Sequence, residues 1–175
     1  VATIEVKSTL NKNDILQSTK AVKATKSLEP SIVTSFYAGF RPPSILSFVV
    51  AYDGPAKMST VYNWTTEAAR ELEFSYPVLP PNAEERQLIA SPAIDGIYVL
   101  GRGFIQYDNF PLGFLTDEIN KSHPEAKWVI GTTASGNLLL LFTLLTVAVS
   151  GVSGSWLNPI PYLAQFSISG LELGD

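Results

Sequence analysis

Hydrophobic and polar residues alternate with period two along several parts of the chain, the pattern of strands that turn one face inward. In "ATIEVKSTL" Ala2, Ile4 and Val6 oppose Thr3, Glu5 and Lys7. "SILSFVVAY" carries Leu46, Phe48, Val50 and Tyr52 on one face, and "YLAQFSISGLEL" carries Tyr162, Ala164, Phe166 and Ile168. "GIYVLGRGFIQY" (96–107) is strand-like with Gly101 and Gly103 in its middle, where a bulge or bend relieves the backbone. The apolar run "LLLLFTLLTVAV" (138–149) is too short to span a bilayer, which takes about 20 residues. Its β-branched second half and the Gly and Ser that follow predict a long core strand covered on both faces.

Pro- and Gly-rich turns punctuate these segments at "RPPS", "YDGP", "VLPPN" and "NPIP". Two stretches predict short helices, "TTEAARELEF" (65–74) and "FLTDEINKS" (114–122). Roughly eight strands joined by irregular loops predict an all-β fold, a two-sheet antiparallel jelly-roll sandwich with short helical connections. The expected organisation is a Lys-bearing amino-terminal arm or edge strand over residues 1–26 and a single sandwich domain over 27–175.

The chain holds 175 residues, enough for one core without staples, and no cysteine, so thiol chemistry and cysteine metal sites are excluded. A net charge of −4 argues against a general coat for nucleic acid. The amino end is locally basic, however. Lys7, Lys12, Lys20, Lys23 and Lys26 are the candidate RNA-binding residues, by neutralising phosphates. No signal-peptide pattern is recognisable.

Sequence signals for catalysis are weak. The lone histidine, His123 in "KSHPEAK", reads as a surface loop residue without a G-x-S-x-G turn to accompany it. One His without Cys does not make the usual zinc sets, and no EF-hand pattern supports calcium. Carboxylates at Glu84 and Glu85, at Asp117 and Glu118, and at Glu67, Glu71 and Glu73 read as solvated faces rather than a glycosidase pair. "GRG" at 101–103 lacks the lysine and spacing of a P-loop, and "NWT" and "NKS" are treated as silent acceptor triplets. Neither a catalytic residue, a metal nor a cofactor is expected.

Several stretches resemble tymovirus-type coat proteins, within the jelly-roll coats of small icosahedral RNA viruses. They are "SIVTSFYAGFRPPSILSFVVAY" (31–52), "STVYNW" (59–64), "DGIYVLGRGFIQYDNFPLG" (95–113), "AKWVIGTTASG" and "LLTVAVSGVSGSWLNP" (144–159), collinear over about residues 25–159. The loop at 69–87 and the tail from Ile160 to Asp175 have no counterpart in that pattern. The resemblance implies a non-enzymatic subunit that self-assembles into a closed icosahedral shell around single-stranded viral RNA, located in the virion and, during assembly, in the host cytoplasm. The apolar "GSWLNPIPYL" makes Trp156, Pro159, Pro161 and Tyr162 the candidate subunit interface. Two other readings explain the same strands. One is a trimeric extracellular sandwich of the tumour-necrosis-factor or C1q type; the other is a carbohydrate-binding sandwich in which Trp64, Trp128 or Trp156 stacks on sugar.

Overall fold

The computed structural model describes residues 2–28, 32–40, 42–112 and 115–157, with the backbone alone at 32–35, 37 and 152–157. It corrects the all-β expectation. The chain forms a mixed α/β fold in which helices cover both faces of a five-stranded sheet.

Strand β1 (Ala2–Thr9) leads into α1 (Lys12–Lys26), then β2 (Ile32–Ala38) and β3 (Leu46–Asp53). Next come α2 (Met58–Glu71), the single turn α3 (Ala83–Arg86), and the hairpin of β4 (Gly96–Val99) with β5 (Gly103–Tyr107). The short α4 (Asp117–Ser122), β6 (Trp128–Thr132), α5 (Asn137–Ser150) and β7 (Val152–Leu157) complete the described order. The main sheet runs β1-β3-β4-β5-β6, parallel over its first two pairings and antiparallel over the last two. A separate two-stranded antiparallel sheet joins β2 to β7.

The parallel half explains why β3 is apolar without interruption. Val49 and Ala51 face α1 and α2 together with Ile15, Val61 and Ala68, while Leu46, Phe48 and Val50 face α5 through Leu141 and Leu144. A strand covered on both sides carries no polar alternate set.

Three stretches expected as strand, arm or coat-protein segment take helical form, each for a definable reason. The leucine run is α5, because when every position is apolar, periods of 2.0 and 3.6 cannot be told apart and length decides. Its threonines do not break it: Thr143 and Thr146 donate their hydroxyls to the carbonyls of Leu139 and Phe142, one turn back. Asn137 pins its amino end to the sheet, its side-chain amide donating to the Val99 and Gly103 carbonyls at 2.8 and 2.7 Å. "STVYNW" lies in α2, whose buried Met58, Val61, Thr65 and Ala68 follow helical spacing. The lysine-rich segment is α1, opened by a capping box between Asn11 and Asp14. The expected helices at 65–74 and 114–122 correspond in part to α2 and α4.

The "GRG" sequence is a hairpin turn rather than a kink within one strand. Gly101 and Gly103 have φ of 70° and 149°, and a Cβ on Gly103 would meet the Gly131 carbonyl oxygen of β6. Only glycine lets the two strands approach there. The expected strand from 162 onward lies outside the described residues. Among those described, no helix is long and apolar enough to cross a membrane.

Candidate functional site

β1 is an edge strand of the main sheet, and its burial runs opposite to its hydropathy. In parallel register Ile4 and Val6 lie beside Phe48 and Val50, yet they are 47 % and 58 % exposed. Thr3, Glu5 and Lys7 lie beside Ser47, Val49 and Ala51, on the face that α1 covers, with Glu5 and Lys7 half-buried. A sheet selected for stability alone would turn the other set inward, since charged groups lose hydration under a helix.

The charges meet at one point. Lys7 Nζ stands 2.8 Å from Glu5 Oε1 and 3.3 Å from Asp14 Oδ1. Two-residue spacing puts Glu5 and Lys7 on the same side of the strand, and the capping box holds Asp14 in the first turn of α1, with Asn11 and Asp14 exchanging hydrogen bonds of 3.0 and 3.1 Å. Ser18, one helical turn further on, is buried, with its hydroxyl close enough to Glu5 to favour the ionised carboxylate.

Partial burial pushes the Glu5 carboxyl up, but the bond from Lys7, the Ser18 hydroxyl and the nearby ammonium charge outweigh it, so the group stays below the usual carboxylate range. The bond to Glu5 raises Lys7 above its ordinary value, against partial desolvation and with help from Asp14. At neutral pH Glu5 is therefore a carboxylate and Lys7 an ammonium.

A second charged cluster is closed to solvent. Lys26 Nζ, at the end of α1, lies 2.6 Å from Asp95 Oδ2, with the two side chains 4 % and 1 % exposed. The same oxygen accepts from the Ser47 amide at 2.7 Å, and Lys26 also donates to the Ser91 carbonyl at 3.2 Å. Burial pushes Asp95 up to about 6 despite Lys26, and burial lowers Lys26 despite Asp95. Ordinary substrates have no access to this pair, which fastens α1 to β3 and to the residues before β4. Arg86 and Asp108 form a further enclosed pair, with Arg86 Nε donating to the Pro80 carbonyl at 2.6 Å.

The five lysines singled out in the sequence occupy different settings. Lys7 belongs to the Glu5 cluster, Lys12 pairs with Glu67 at 2.7 Å, and Lys26 is enclosed with Asp95. Lys23 donates to the Leu72 carbonyl at 2.8 Å and lies 5.1 Å over the Phe74 ring, whereas Lys20 is exposed. Of the candidate interface residues, Trp156 lies in β7, paired in register with Val33; Pro159, Pro161 and Tyr162 lie outside the described residues. His123 is exposed at the end of α4, with Nδ1 2.9 Å from Ser122 Oγ. Glu84 and Glu85 are exposed in α3, whose amino end Asn82 caps. Sequence reasoning placed Lys7 among phosphate-binding lysines and missed Glu5 and Asp14 as its partners. The available signal was a Glu-x-Lys spacing on a strand, followed by a capped helix.

No protein-family profile matches the chain, and no curated protein is similar to it. Among solved structures it is similar to NucC of P. aeruginosa ATCC27853 in a cAAA-bound form, at 12 % identity and TM-score 0.45, over 85 % of this chain and 52 % of that one. It is also similar to NucC of E. coli MS115-1 in an apo form, at 11 % identity and TM-score 0.44, over 83 % of this chain and 54 % of that one. The chain thus spans about half the length of either. Likeness at this level transfers no activity.

The coat-protein expectation is corrected together with the fold that carried it. A five-stranded mixed sheet layered between helices is not a two-sheet jelly roll. The non-enzymatic role, the many-copy shell around viral RNA and the virion location all followed from that resemblance and are corrected with it. The cytokine-like trimer and the sugar-binding sandwich fall for the same reason, since both require two packed β-sheets.

Proposed function

We propose that the Glu5–Lys7–Asp14 cluster is a catalytic site for divalent-cation-dependent hydrolysis of phosphodiesters. The observation that carries this reading is the inversion of β1, which turns a carboxylate and an ammonium under α1 and leaves isoleucine and valine in solvent.

The donor set fits a hard cation. Among the described residues no group of three or more His, Cys, Asp or Glu side chains could hold a metal by itself. Mg²⁺ commonly takes only one or two carboxylates and completes its shell with water and substrate phosphate. Glu5 and Asp14 are the residues that would hold it, with the buried Ser18 hydroxyl beside Glu5. Charge selects the substrate class. The formal charges of Glu5, Asp14 and Lys7 sum to −1, a divalent ion brings the site to +1, and a diester carries one negative charge whereas a monoester carries nearly two.

When bound, the cation supplies Lewis acidity and a more acidic water. The chain's own residues do the rest. Lys7, raised and charged at neutral pH, acts as an electrostatic clamp on a phosphoryl oxygen rather than as a base. Glu5, held ionised, orients Lys7 through their 2.8 Å contact. In the reaction, a water oxygen bonds to phosphorus and gives up one proton, the ester P–O bond breaks, and the leaving alkoxide takes up one proton, so that one water is consumed overall. Purified protein is expected to release 4-nitrophenol from bis(4-nitrophenyl) phosphate with Mg²⁺ or Mn²⁺ and not with EDTA. Equal release with and without chelator would overturn the metal-dependent reading.

A further inference from the structure

Between α2 and β6, at the opposite edge of the sheet from β1, an open cavity of about 390 Å³ is lined by α2, residues 74–76 and the start of β6. Its walls are aromatic. Tyr76 is buried and stands edge-on to Trp128 at 4.9 Å, Phe74 tilts against Tyr76 at 5.5 Å, and Tyr62 lines the α2 side. Lys127 is already engaged, donating to the Tyr76 carbonyl at 2.6 Å, which fixes the segment that bears the two rings. Arg70 lines the same cavity from α2 and is exposed, its guanidinium influencing Glu67 one turn earlier without a hydrogen bond to it. Glu125 is the acidic member of the lining, so two cations and one carboxylate leave a net charge of +1.

We infer that this cavity is a binding site for a small planar aromatic anion, its ring lying against Tyr76 and Trp128 and its acid group paired with Arg70. The volume sits in the lower part of the range of small-molecule pockets and holds one or two fused rings. Ring faces and edges favour a flat partner over an aliphatic one of equal size. A guanidinium that spends none of its five donors on a hydrogen bond within the described residues suits a carboxylate, sulfonate or phosphate in bidentate geometry. The inference is independent of the chemistry at Glu5.

The test uses the whole chain, with indole-3-acetate as anionic probe and indole as its neutral counterpart. Titration calorimetry is expected to give a dissociation constant below about 1 mM for indole-3-acetate, and the Trp128 indole N–H signal in nuclear magnetic resonance is expected to shift on binding. Because Arg70 is exposed, Arg70→Ala leaves folding intact; it is expected to weaken indole-3-acetate about tenfold and indole less than twofold. Absence of binding at about 5 mM, an unmoved Trp128 signal, or equal affinity of the variant for the anion would each overturn the assignment.

Discussion

Lys26→Met is expected to destabilise the protein by about 3–5 kcal/mol at pH 8 and by far less at pH 5. Removing one partner of an enclosed ion pair leaves an uncompensated charge, and that charge, rather than the lost attraction, sets the magnitude. Asp95 would be the orphan, 1 % exposed, with one oxygen making no hydrogen bond among the described residues and the other held by the Ser47 amide. The pH dependence follows from its titration. The folded-state value of about 6 lies above the ordinary 3.8, so the folded chain holds the proton more tightly. Stability from this group therefore falls as pH rises from about 4 to about 6. Without Lys26 the proton is held more tightly still, so the variant is neutral at this site at pH 5 and charged at pH 8. Chemical denaturation at both pH values measures the difference. Combining Lys26→Met with Asp95→Asn is expected to recover most of the loss at pH 8. An equal loss at both pH values would show that packing of the lysine stem, not charge, is at stake.

The second large effect is catalytic. Glu5→Gln keeps the shape of the side chain but removes the charge that orients Lys7 and that would hold a cation; hydrolysis is expected to fall by about 10²–10³-fold. Lys7→Met is expected to produce a loss of the same order. The double variant should be no slower than the slower single one, because groups that act as a unit are not additive. Folding is expected to change little, within about 1 kcal/mol for Glu5→Gln, since the pair is half-exposed and screened. Denaturant midpoints measured beside the rates separate the two effects. A large drop in stability would make the cluster an architectural ion pair.

How far the sequence could be read differs sharply among elements. β1, β3, and the two halves of residues 96–107 were legible as strands because alternation or β-branched density marks them whatever they pack against. The covering layer was not. α5 has no polar face to give its period, and α1 sets small polar side chains, Ser18 and Thr19, against the sheet beside Ile15, so its amphipathicity is faint. Once those helices were read as strand and arm, a two-sheet sandwich was the natural fold, and the resemblance to coat proteins rested on short apolar strands that many β-containing folds share. Of the proposed site, Lys7 stands out in the sequence by its charge alone, whereas Glu5 does not, because an inward-facing Glu on a strand with a better apolar face is not what burial selects. Asp95 gave no sign at all: its partner is 69 residues away, and only the packing of α1 over the sheet brings them together.

Cleavage of an end-labelled oligonucleotide by the wild-type chain and by Glu5→Gln, in Mg²⁺ and in EDTA, tests the central claim most directly. The account expects shortened fragments for the wild-type chain in Mg²⁺ alone. Cleavage that persists in Glu5→Gln, or none by the wild-type chain in Mg²⁺ or Mn²⁺, would contradict the assignment of β1 as the strand that carries the chemistry.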